Sequence, residues 1–123
     1  MKNAKEIMSE VGFVLKPEET ALANALQVML SNGMPPLFLK AFLVSKRKAE
    51  DYNSGSVKRE DYFPFGHKSF VQMIHTKSLR LVSLVESGGQ PNFEGINDTV
   101  VDMANYLSFF DHYLTSEDDH NEY

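Results

Sequence analysis

Apolar residues recur at helical spacing along most of the chain, and no segment sustains the alternation expected of a strand. Residues 2–10 predict a short helix, and Val11 to Leu15 form a brief apolar connection. Pro17-Glu18-Glu19 reads as the first turn of a second helix, where proline loses no hydrogen bond and acids complement the dipole. Leu22, Ala25, Leu26 and Met29 form its predicted core face until Ser31-Asn32-Gly33 ends it. Pro35-Pro36 opens the next helix, whose stripe of Leu37, Ala41 and Val44 runs on into Lys48 and Tyr52, with Asp51 beside it. Such a stripe suits the rim of a pocket, or a lysine that reaches out to water. Asn53-Ser54-Gly55-Ser56 closes the helix, and residues 57–67 follow as an irregular loop. The loop's Tyr62, Phe63 and Phe65 either line a ligand or tuck into the core.

A further helix is predicted from Lys68 to Glu86, with Phe70, Ile74, Leu81, Leu84 and Val85 as its buried stripe. Lys77 stands in the middle of that stripe and Arg80 on its flank. A lysine so placed must reach out of the core or meet an anion: a carboxylate in a structural pair, or a bound phosphate. Ser87 to Pro91 form a turn, and Asn92 is a candidate cap for the last helix.

Residues 92–114 carry two stripes. Ile96, Val100, Met103, Leu107, Phe110 and Leu114 fall on one face and are expected to face the core. Glu94, Asp98, Asp102 and Asn105 fall on the opposite one, with Val101 and Phe109 among them and Tyr106 at the edge. Carboxylates mixed with apolar side chains suggest a helix covered on much of its circumference, and covered carboxylates need cations. Asp98 and Asp102, about 6 Å apart along a helix, could share a hard cation. Glu94 could join them or only complement the helix dipole, and a water-facing acidic stripe is the plainer alternative.

These elements predict an all-α fold: four main helices and a small one at the start, arranged as a four-helix bundle. A chain of 123 residues, 42% hydrophobic, suits one domain over residues 1–115, with an acidic flexible tail at 116–123. The absence of cysteine leaves only oxygen and histidine ligands for any metal and fits the cytoplasm. A net charge of -5 argues against duplex nucleic acid as the partner, and no apolar run is long enough for a membrane span. Glycine-rich phosphate loops, a Gly-x-Ser-x-Gly elbow and a His-Glu-x-x-His zinc helix are missing.

Lys48-x-x-Asp51-Tyr52, Phe65-Gly66, Lys77-x-x-Arg80-Leu81 and Glu94-x-x-x-Asp98-Thr99-x-x-Asp102-x-x-Asn105-Tyr106 together resemble the nucleotide modification associated domain family of bacteriophages. That family is similar to the all-α nucleoside triphosphate pyrophosphohydrolases of the MazG and dimeric dUTPase type. The resemblance covers about residues 45–115, and its last motif is the most specific. It implies a MazG-like bundle in which Asp98 and Asp102, with Glu94, hold Mg²⁺ and Asp51 completes the catalytic acids. It further implies phosphate contacts from Lys77 and Arg80, and a nucleotide site lined by Lys48, Tyr52, Phe65 and Asn105. The implied reaction is cleavage of a nucleoside triphosphate to monophosphate and pyrophosphate. A homo-oligomer is implied too, with its pocket at or near the subunit contact, in the host cytoplasm if the chain is phage-encoded. One departure bears on catalysis: the chain has no Glu-x-x-Glu, and Lys48-x-x-Asp51 stands in its place. Fewer carboxylates and more cations favour binding over cleavage, so a non-catalytic phage protein that sequesters a host nucleotide signal stays open beside the enzyme. A helical interaction module with purely structural charges is the third reading.

Overall fold

The computed structural model describes residues 2–88 and 95–116, the side chains of Asp51 and Tyr52 excepted. These residues form five α-helices: α1 (Ala4–Glu10), α2 (Thr20–Ser31), α3 (Pro36–Ser54), α4 (His67–Glu86) and α5 (Ile96–Ser116). Two 3₁₀ turns, Pro17–Glu19 and Arg59–Tyr62, stand before α2 and α4. Among the described residues there is no strand, and no helix is long and apolar enough to cross a membrane. The chain divides into two compact units, Met1–Ser56 and Val57–Tyr123. The single domain expected over residues 1–115 spans both. Of the expected acidic tail, residues 117–123 lie outside the described residues, as does the expected cap Asn92.

The N-terminal unit begins with a reciprocal cap. The Asn3 side chain accepts from the Glu6 N–H at 2.8 Å, and the Glu6 carboxylate accepts from the Asn3 N–H at 3.1 Å, so two otherwise orphaned donors are satisfied. Gln27 of α2 takes a third, the Ala4 N–H, at 2.8 Å. Just past the end of α2, the positive φ of 101° at Gly33 lets the Met34 N–H reach back to the Met29 carbonyl at 3.0 Å. Ile7, Met8, Leu26, Leu30, Leu39 and Leu43 pack together with Ala4 and Ala23, and Leu39 and Leu43 are wholly buried. The buried face of α2 is therefore Ala23, Leu26 and Leu30, whereas Ala25 and Met29 of the expected set are exposed. Alanines on several sides of α2 leave its sequence pattern undecided by about one position; the larger Leu30 settles it.

Charges of this unit stay at its surface. Glu10 receives Lys2 at 2.6 Å and Lys40 at 3.6 Å, and the Lys2 hydrogen bond holds its carboxyl below the usual range. Glu19 accepts from the Lys16 N–H at 3.0 Å and pairs with Lys46 at 3.4 Å; the backbone bond is the larger cause of its lowered pKa.

In the C-terminal unit α4 and α5 run antiparallel. Lys77 meets Asp102, Phe70 stacks on Phe110 with ring centroids 5.2 Å apart, and His67 lies edge-on to Tyr113, so one register runs the length of the pair. Phe63, delivered by the 3₁₀ turn, stacks on Phe70 at 4.2 Å and meets Tyr106 and Phe109 edge-on. Of the two fates open to the loop's aromatics, Phe63 takes the core and Phe65 stays 76% exposed. Gly66 starts α4 at φ 58°, and a Cβ there would stand 2.6 Å from the Tyr113 hydroxyl. Glycine alone gives both that backbone angle and that approach.

The expected stripe of α4 is buried or half-buried at Phe70, Ile74, Leu81 and Leu84, but Val85 is exposed. α5 departs further. Its most buried residues are Thr99, Val101 and Asn105, while Ile96 and Leu107 of the expected core face are exposed. The helix carries apolar residues on most of its circumference, and the aromatic stack with Phe63 and Phe70 chooses which side turns inward.

Candidate functional site

The charged candidates that the structure gathers lie on one flank of the α4–α5 hairpin. Lys77 Nζ is 3.3 Å from Asp102 Oδ2, with 17% and 22% of the two side chains exposed. Arg80, three residues on and half-buried, continues the flank on α4. Asp98 and Asn105 lie on either side of Asp102 along α5, and Asn105 is buried. Of the two readings of Lys77, the observed one places it against an anion at the margin of the interior, with that anion supplied by the protein.

Asp98 differs from Asp102. It is exposed, sits in the first turn of α5 and accepts from the Gly95 N–H at 3.4 Å. Thr99, wholly buried, donates its hydroxyl to the Gly95 carbonyl at 3.0 Å, so the same turn is held from inside and outside. Asp98 and Asp102 share a flank one turn apart, yet one serves the helix start and the other a lysine.

The remaining candidates are placed less closely. Phe65 is exposed just before Gly66, its N–H donating to Ser69 Oγ at 2.8 Å. Lys48 is an exposed residue of α3 in the N-terminal unit. Asp51 and Tyr52 are helical residues of α3 whose side chains lie outside the description, and Glu94 lies outside the described residues altogether. Among the described residues no three His, Asp or Glu side chains gather to hold a metal ion.

Arg59 was not among the sequence candidates. Its guanidinium lies 4.4 Å from the centre of the Phe109 ring, on the aromatic cluster beside Tyr106. A residue brought in by a 3₁₀ turn has no periodicity to announce it; Arg59 beside three loop aromatics is the only trace it leaves in the sequence. No family model, curated protein or solved structure matches the chain.

Proposed function

We propose that the chain is a nucleotide-binding protein on a MazG-like all-α frame, taking phosphates on Lys77 and Arg80. Its proposed reaction is hydrolysis of a nucleoside triphosphate to monophosphate and pyrophosphate. The observation that carries the reading is the half-buried Lys77–Asp102 pair with Arg80 on the same flank. A lysine at the edge of the interior beside a carboxylate is a ready phosphate ligand, because a phosphate competes with that carboxylate for the same ammonium. Arg80 adds a planar fork of donors that matches phosphate oxygens. Mg²⁺, the cofactor that hydrolysis needs, would be held by Asp98 and Asp102 with Glu94 and would offset charge on the phosphate oxygens.

A second reading, a phage protein that retains a nucleotide signal intact, is favoured by the same contact. With Lys77 at 3.3 Å, Asp102 is already neutralised, and a cation there must displace the ammonium. One experiment separates the two: purified protein is incubated with ribo- and deoxynucleoside triphosphates and cyclic dinucleotides, with Mg²⁺ or with EDTA. Products and protein-bound material are then resolved. Pyrophosphate release that needs Mg²⁺ and disappears in Asp98→Asn supports the enzyme. Intact nucleotide recovered with the protein, lost in Lys77→Ala and indifferent to EDTA, supports the binder. Neither release nor retention would leave the flank as a structural ion pair and sink both.

A further inference from the structure

Arg59 takes no part in the phosphate site described above, and no acid holds it. Glu60 and Asp61 follow it in the chain, yet among the described residues its guanidinium makes neither an ion pair nor a hydrogen bond. Asp61 accepts from the Lys58 N–H at 2.8 Å instead. Arg59 is placed by a ring: its guanidinium carbon lies 4.4 Å from the centre of Phe109, which Phe63 and Tyr106 meet edge-on at 6.4 and 6.2 Å. A half-buried arginine is thus positioned while its N–H donors stay free of protein acceptors.

Its place along the hairpin matters as much. Phe109 stands two turns beyond Asp102 on the same face of α5, about 10 Å along the axis. Because α4 runs antiparallel, Arg80 lies beyond Lys77 in the opposite direction. The flank therefore presents, in order, Arg80, the Lys77–Asp102 pair and Arg59 on Phe109, with the half-buried Met73 and Tyr106 between the last two. Two cations at one end and a cation on an aromatic ring at the other are separated by the reach of a nucleotide from its outer phosphates to its base.

We infer that Arg59 is the base-recognising residue of this site and that it selects guanine. The inference rests on the nucleotide reading: with phosphates on Lys77 and Arg80, a base two turns along the flank meets the Arg59–Phe109 pair. The pair offers a planar base both a stacking surface and an edge of donors. A guanidinium donates and cannot accept. Guanine presents O6 and N7 as adjacent acceptors that take two bonds from the fork, whereas adenine sets its N6 donor beside N7 and leaves one. Because Phe109 already holds Arg59 before a ligand arrives, less side-chain freedom is lost on binding.

Calorimetry of the full chain with the α,β-methylene analogues of GTP and ATP in Mg²⁺ tests this, since neither analogue can be split between its first two phosphates. The wild type is expected to bind the guanine analogue about tenfold or more tightly than the adenine one. Arg59→Ala and Arg59→Lys, each with an unchanged far-ultraviolet helical signal, are expected to lose that preference, the lysine because it keeps the charge without the fork. Lys77→Ala is expected to weaken both analogues and keep the preference. Equal affinities in the wild type, or a preference that survives both Arg59 substitutions, overturn the role of Arg59 and leave the nucleotide reading standing. Failure of the wild type to bind either analogue overturns the nucleotide reading and this inference with it.

Discussion

The two units of this chain are stabilised in different ways. Residues up to Ser56 bury aliphatic side chains completely and keep their ion pairs outside, at Lys2–Glu10, Lys40–Glu10, Lys16–Glu50 and Lys46–Glu19. From Val57 onward the arrangement is inverted in part. Ser69, Thr99 and Asn105 are buried, Lys77 and Asp102 meet at the edge of an aromatic stack, and valines stand in solvent. The first unit closes an aliphatic core from its own three helices. The second buries polar side chains between its two long helices and leaves Val71, Val82 and Val85 exposed.

The largest effect should come from the aliphatic core. Leu39→Ala removes a wholly buried side chain and is expected to cost about 2–5 kcal/mol in urea unfolding. A cost under about 1 kcal/mol would mean that this core is not what holds the N-terminal unit, and the contrast would fail. Asp102→Asn leaves Lys77 beside a neutral amide; partial exposure limits the loss to about 1–2 kcal/mol. Under the proposed function it also abolishes Mg²⁺-dependent hydrolysis, or, in the retention reading, alters nucleotide binding. Gly66→Ala combines a disfavoured positive φ with crowding by the Tyr113 hydroxyl and is expected to lower stability by about 1–2 kcal/mol, read as a lowered Tm.

The smallest effect is the surface titration of the first unit. Glu19, with its pKa lowered first by the Lys16 N–H and then by Lys46, contributes stability that is fully present above the ordinary value of 4.5. That contribution is lost as pH falls through the lowered pKa. Carboxyl carbon chemical shifts should therefore place the Glu19 midpoint below the ordinary value of 4.5; a midpoint at or above that value would remove the backbone bond from the account.

How much of this was legible along the chain follows from the range of each interaction. The all-helical class and most helix ends belong to local chemistry: Pro17 and Pro36 stand in first turns, Gly55 follows α3, and α4 keeps within a residue of its expected start. Lys77 was recognisable as a cation needing an anion because a lysine breaks an apolar stripe visibly. Its choice of Asp102 was not, since Asp51, Asp98 or a phosphate satisfied the same local requirement. Nor was the exposed side of α5. Its sequence carries apolar residues on both stripes, and burial on one side came from Phe63, Phe70 and their ring contacts, which join residues far apart in the chain. The sequence by itself therefore determined where helices begin and end and which residues carry charge, through backbone geometry and capping within a few residues. Only the tertiary structure decided which faces meet, that Asp98 serves a helix start while Asp102 serves Lys77, and that an apolar stripe is left in solvent. Those outcomes depend on packing between segments, for which the spacing of residues along one helix carries no information.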